Sequence, residues 1–305
     1  RRQRQMCKRD RFLLFIATAA FSIIAFFKFH KKKTISTIKS PLIFVAILGV
    51  ISFFIVENYK FDAFKNRLPY SLYFNTIKYF DTPNIQLKEV KEKVITKEKN
   101  LNIILVIGES VRADHMSLNG YHKNTNPLLS KQKNLVSFHK VYTPFTFTAQ
   151  SLPQILTDKS ISDKEKKQEA VSLFSVLNKT TFTSEWIGNQ SLEKSYKDII
   201  YSNSSKVIID EFHSFLSFKK EKDLALLDYF SLDDSLADNK ISTFHMIGSH
   251  WYYNARITSD FEYFKPIITS KYLGSSTKEA LINSYDNTIL YLDNFLNILI
   301  EKLKK

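Results

Sequence analysis

Asn102-Ile103-Ile104-Leu105-Val106-Ile107-Gly108-Glu109-Ser110 is the stretch on which the reading of this chain turns. Five aliphatic residues in a row, four of them β-branched, are stopped by a glycine. That is too short for a buried helix and too continuous for a half-exposed strand, so it predicts a strand covered on both faces, as in a parallel sheet. Glu109 follows directly, which sets a carboxylate at the strand's carboxyl end. Beyond it run Ser110-Val111-Arg112-Ala113-Asp114-His115 and, further on, Thr146-Phe147-Thr148-Ala149-Gln150-Ser151-Leu152-Pro153. A buried strand that presents a carboxylate, followed by a hydroxyl-rich turn into a helix, is how an α/β enzyme assembles a metal-activated nucleophile.

Downstream, apolar runs suited to buried strands recur at Phe182 to Ile187, Lys206 to Ile209 and Ile241 to Ile247. Helical patterns fall between them, at Val171 to Leu177 and Leu224 to Phe230. A long helix is predicted from Lys278 to Lys304, where Leu281, Ile282, Tyr285, Ile289, Leu292, Phe295, Leu296, Leu299 and Ile300 recur at three- and four-residue steps. Strands alternating with helices imply an α/β fold with a mostly parallel sheet covered on both faces.

Upstream of Leu101 the character changes. Phe12 to Phe27 and Pro41 to Val56 are uncharged apolar segments of 16 residues each, near the short end for a spanning helix of about 20. The 305-residue chain has a formal net charge of +14, and residues 1 to 67 hold 14 Lys/Arg against 3 Asp/Glu, leaving 30 against 27 elsewhere. The excess base thus flanks the apolar segments, as in a membrane anchor drawn to anionic headgroups, and argues against a nucleic-acid partner. Residues 1–57 are read as an anchor of two apolar helices and 58–100 as a connector. Tyr59 to Phe80 is aromatic and interfacial in character, and the alternating Lys and Glu of 88–99 reads as a solvated linker. Residues 101–305 form the globular part. The first methionine is Met6, from which missing N-terminal residues are expected. The single cysteine, Cys7, allows no intrachain disulfide.

Several motifs in order resemble one family. These are Gly108-Glu109-Ser110-Val111-Arg112-Ala113-Asp114-His115, Leu118-Asn119-Gly120-Tyr121, Asn124-Thr125-Asn126-Pro127, Thr148 to Pro153, Trp186 to Ser191 with Lys194, Met246-Ile247-Gly248-Ser249-His250, and Asn283 to Asp293. They are similar to the phosphoethanolamine transferases, inner-membrane enzymes of the alkaline-phosphatase/sulfatase superfamily that decorate lipid A, lipopolysaccharide core or related glycans. The resemblance implies transmembrane helices followed by an alkaline-phosphatase-like α/β/α sandwich, of which 101–305 would be the N-terminal part, with the catalytic domain in the periplasm. It implies phosphatidylethanolamine as donor, lipid A or lipopolysaccharide as acceptor, and Zn²⁺ as cofactor.

Residue by residue, Thr148 matches the family's nucleophile and Glu109 a zinc ligand, with the nucleophile also on the metal. Asn189, Gln190 and Lys194 match the polar loop around the substrate phosphate. His250 matches a histidine at the site edge with catalytic and binding roles. Asp114 and His115 match supporting positions, and Tyr285, Asp286 and Asn287 are expected to brace the site. From the residues alone, Thr148 reads first as the cap of a helix over Ala149 to Leu156, and only the resemblance turns the reading to nucleophile. A hydroxyl at a helix N-terminus also suits attack on a phosphoryl anion once a base or metal activates it.

Three departures stand out. The family completes its zinc site with an Asp-His-Gly-Glu stretch, and here the only Asp-His pair is 114–115. Cysteines common around the nucleophile are replaced by Pro144 and Gln154. Trp251 and Tyr252 follow His250 where Gly-Pro is common. A sulfatase, a phosphoglycerol transferase, or an inactive truncated membrane protein are the alternatives.

Overall fold

A computed structural model of the chain describes residues 47–51, 70–81, 85–160, 169–209, 221–231 and 239–304. The chain divides into two compact units, Arg1–Thr82 and Pro83–Lys305. Of the first unit, 47–51 are helical and helix α1 spans Tyr70–Asp81. Leu72, Ile77 and Phe80 of α1 are exposed. The apolar segment Phe12 to Phe27 lies outside the described residues, as does most of Pro41 to Val56. Among the described residues no helix is long and apolar enough to cross a membrane.

The second unit is built on two parallel sheets. A small one pairs β1 (Gln86–Leu87) with β3 (Glu169–Ala170). The central one contains β2 (Asn102–Ile107), β4 (Thr183–Gly188), β5 (Ser205–Ile208) and β6 (Lys240–His245), in the order β2-β6-β4-β5, all parallel. Each predicted strand is present within two residues of its expected ends. The side chains alternate between two cores. Ile103, Leu105, Ile107, Trp186 and Ile241 face Leu152, Leu156, Phe174, Ile199 and Ile200, which belong to α2 (Thr148–Leu156), α3 (Leu173–Leu177) and α4 (Lys197–Tyr201). Ile104, Val106, Ile187 and Phe244 face Leu226, Leu292, Phe295 and Leu299 on the other side. That side is covered by α5 (Lys278–Leu303) and a 3-10 turn, Asp223–Asp228. Both faces are therefore buried, which is why β2 reads as a continuous apolar run and not as an alternating one.

Two elements differ from the sequence reading. The segment Leu224 to Phe230, predicted as a helix, is a 3-10 turn displaced to Asp223–Asp228, because the Asp223 carboxylate is tied down by other loops. Residues 85–90, read as connector and linker, join the globular unit. Ile85 and Val90 are buried and Leu87 packs on the first core. Three apolar residues among alternating charges leave no periodic signal.

Helix α5 begins at Thr277, whose hydroxyl accepts from the Ala280 N–H at 3.1 Å. At 26 residues it runs about 39 Å. Between Asn283 and Asp293 it turns inward a set of polar residues, each with a partner. Asn287 brackets the Phe264 backbone on both sides, Ser284 accepts from Ile268 N–H, and Asp293 accepts from the Leu128 and Leu129 N–H groups at 2.8 and 3.0 Å. The loops that surround the sheet's carboxyl edge are hung on this helix.

Candidate active site

Strand register creates the site. Ile107 pairs with His245, and His245 with Gly188. The next residues of the three strands therefore emerge side by side: Glu109 after β2, Asn189 and Gln190 after β4, Met246 to His250 after β6. Ligands of parallel α/β sheets bind at this carboxyl edge.

Thr148 is the first residue of α2. The N-cap is Phe147, without a side-chain capping bond. The Thr148 hydroxyl instead donates to Glu109 Oε2 at 2.6 Å, and Ser110 Oγ donates to Oε1 at 2.9 Å. Gln190 Nε2 stands 3.5 Å from the same Oε2 and donates to the Met246 carbonyl. Glu109 is also fixed through its backbone. The Ser249 N–H donates to its carbonyl at 2.9 Å, and Gly248 lies so close that a Cβ there would meet that oxygen at 2.6 Å. Gly248 has φ +53, which excludes a larger residue a second time.

The structure brings Thr148, Glu109 and Gln190 together. Asn189 is fully buried and its Nδ2 donates to the Glu221 carbonyl and to Asp223. Lys194 is half-buried in the turn before α4. His250 is exposed, with Nδ1 2.8 Å from the Trp251 carbonyl. A carbonyl can only accept, so Nδ1 carries a proton and Nε2 is the ring nitrogen left to meet a ligand. Asp114 pairs with Arg112. His115 donates to the buried Asp286 at 2.6 Å, and Tyr121 and Lys123 reach the other carboxylate oxygen at 2.9 and 2.7 Å. Burial and this carboxylate push the Tyr121 phenol up to about 12. Tyr285 completes the bracing, accepting from Arg112 N–H and donating to the Ser110 carbonyl, both at 2.8 Å.

Three residues were not singled out from the sequence. Asp223 is buried and accepts from Asn189, Ile247 N–H and Gly248 N–H. It closes the charged run Lys219-Lys220-Glu221-Lys222-Asp223, which reads as a solvated surface. Burial pushes its carboxyl up, against the pull of those donors and of the Arg256 charge. Arg256 is also buried. His245 is buried between Trp186 and Tyr196, with neither ring nitrogen hydrogen-bonded. Burial drives it down to about 4, against the upward pull of Glu109.

The donor chemistry fits part of a divalent metal site. A carboxylate and a hydroxyl converge at 2.6 Å, a pair that could both ligate one ion. Among the described residues, no three His, Cys, Asp or Glu side chains gather closely enough to enclose an ion.

The description "Sulfatase" is that of the family model matching residues 101–305. The chain belongs to the sulfatase family. Within it, the chain is 30% identical over 208 residues to the Kdo(2)-lipid A phosphoethanolamine 7''-transferase of Salmonella typhimurium, and 32% identical over 208 residues to phosphoethanolamine transferase EptA of Helicobacter pylori. Each match takes in 66% of this chain, which spans 36% and 38% of those relatives' lengths. The solved periplasmic domain of phosphoethanolamine transferase EptC from Campylobacter jejuni superposes with a TM-score of 0.58 at 30% identity, over 68% of this chain and 64% of that one. The corresponding Escherichia coli EptC domain, solved as a zinc complex, gives 0.58 at 25% identity, over 68% and 60%. These neighbours share the parallel α/β architecture expected of this sulfatase-family chain.

Proposed function

We propose that the protein transfers phosphoethanolamine from phosphatidylethanolamine to a lipid A or lipopolysaccharide-core acceptor through a covalent intermediate on Thr148. The observation that carries this is the Thr148 hydroxyl, set at the start of a nine-residue helix and aimed at Glu109 at 2.6 Å. A helix start favours a phosphoryl anion, and a hydroxyl already bonded to a carboxylate is oriented for deprotonation.

Thr148 Oγ attacks the donor phosphorus as its proton leaves toward Glu109. The new O–P bond replaces the ester bond to diacylglycerol, whose oxygen departs and takes up a proton. His250, with Nε2 open and Nδ1 fixed on the Trp251 carbonyl, serves as the proton donor and, in the second step, as the base that deprotonates the acceptor. Gln190 and Lys194 hold the phosphoryl oxygens, and Asn189 sets the loop that carries them. Zn²⁺ bound through Glu109 and Thr148 would supply the Lewis acidity that lowers the hydroxyl's pKa. In this reading residues 1–57 anchor the protein in the bacterial inner membrane, and the globular unit, which takes in residues 85–90 as well as 101–305, acts in the periplasm on lipids of the adjacent leaflet.

The test is Thr148→Ala in the full-length protein, with lipid A mass spectrometry as readout. Transfer and covalent labelling should fall by about a thousandfold or more, with unfolding unchanged within about 0.5 kcal/mol. Undiminished transfer by the variant refutes the intermediate. Addition of glycerol phosphate by the wild type would point to a phosphoglycerol transferase instead.

A further inference from the structure

The turn from Met246 to Trp251 carries His250 and presses Gly248 onto Glu109, yet it contains no regular secondary structure to hold it. Its backbone groups are bonded by two buried side chains of opposite charge. At its start, Asp223 Oδ1 accepts from Ile247 N–H at 2.9 Å and Oδ2 from Gly248 N–H at 2.8 Å. At its end, Arg256 Nε donates to the His250 carbonyl at 3.1 Å and Nη2 to the Trp251 carbonyl at 2.9 Å. A carboxylate only accepts and a guanidinium only donates, so each charge matches the end of the turn it holds. Asp223 Oδ1 also accepts from Asn189 Nδ2 at 2.9 Å, which ties the end of β4 to the same point. Both side chains are at least 93% buried, with exposures of 1% and 7%.

We infer that Asp223 and Arg256 are positioning residues of the transfer site, a two-ended clamp that sets Gly248 against Glu109 and aims His250 by its carbonyl. The inference rests on the transferase reading for its kinetic part alone. The clamp itself stands on geometry. Asp223→Asn turns an acceptor into a donor facing N–H groups already in place, so the start of the turn is released. Arg256→Lys keeps the charge and loses the planar fork that spans two carbonyls, so the end is released.

The experiment compares wild type, Asp223→Asn and Arg256→Lys in the full-length protein by amide hydrogen exchange and by transfer kinetics. Exchange at Ile247 and Gly248 should accelerate about tenfold or more in Asp223→Asn, with exchange in α5 unchanged. Both variants should lose about 10- to 100-fold in kcat with the donor KM within twofold. Unaltered exchange at both amides overturns the clamp, whatever the activity. Accelerated exchange with wild-type kcat overturns its positioning role. A wild type that transfers nothing refutes the transferase reading, and exchange then decides the clamp separately. If Asp223→Asn fails to fold, Arg256→Lys carries the same test through exchange after Trp251.

Discussion

The inward face of α5 changes character along its length. Asn283, Ser284, Asp286, Asn287 and Thr288 are buried polar residues near its start, while Phe295 and Leu299 are buried apolar residues toward its end. The apolar end fills the space beside Phe244 and Leu226 against the sheet. That contact is non-directional and scales with area. The polar end bonds to loops: Thr288 to Ser249 at 2.6 Å, Asp286 to His115, Tyr121 and Lys123, Asn287 to Phe264. Those bonds contribute less net stability each but fix distance and direction. One helix thus holds the sheet by its apolar end and the rim of the candidate site by its polar end.

The largest effect on folding should come from the apolar end. Phe295, fully buried and edge-on to Phe244 at 5.9 Å, should cost about 3 to 5 kcal/mol on replacement by Ala. Urea unfolding measures it, and a loss below about 1 kcal/mol would break the assignment of stability to that end.

His245 sharpens the contrast, because it is a buried polar group of the rim that has no hydrogen-bond partner. Its folded pKa of about 4 lies below the ordinary 6.5. The unfolded chain therefore binds a proton as pH falls through 6.5 while the folded protein does not until about 4. Its contribution is present above 6.5 and is lost across that window, by about 3 kcal/mol in all. Unfolding free energy measured from pH 7 to 4 should fall more steeply in wild type than in His245→Phe. Parallel curves would show that His245 titrates normally.

Asp286→Asn should have the smallest effect on stability, about 2 kcal/mol. A fully buried ion pair broken on one side costs more, but Lys123 and His115 keep 22% and 16% exposure and can rehydrate. The consequence should be local, with faster amide exchange in 110–125 and none near Phe295. Global destabilisation equal to that of Phe295→Ala would erase the distinction between the two ends.

Much of the sheet was legible because its strands are buried on both faces. Ile103 to Ile107 carries its burial in composition, and α5 carries it in a 3.6-residue period. The start of α2 was legible too, though whether Thr148 capped it or faced Glu109 was not. The structure puts Phe147 at the cap and Thr148 one place inside the helix, a one-residue shift that helix-start signals do not resolve. Asp223 and Arg256 left no trace, since a charged residue among other charges looks solvated until the loops that bury it are in position.

By itself, the sequence determined the parallel α/β class, the order of the four central strands and the long helix along the chain, and the ends of those strands to within two residues. These follow from local composition and period, which act between near neighbours. Tertiary structure alone decided that β6 lies between β2 and β4, bringing Glu109, Gln190 and Gly248 to one edge, and that Asp223 and Arg256 hold the turn between them. Register and long-range hydrogen bonds join residues up to 175 positions apart, as in the bond from Tyr285 to the Ser110 carbonyl, and no window of sequence spans that distance.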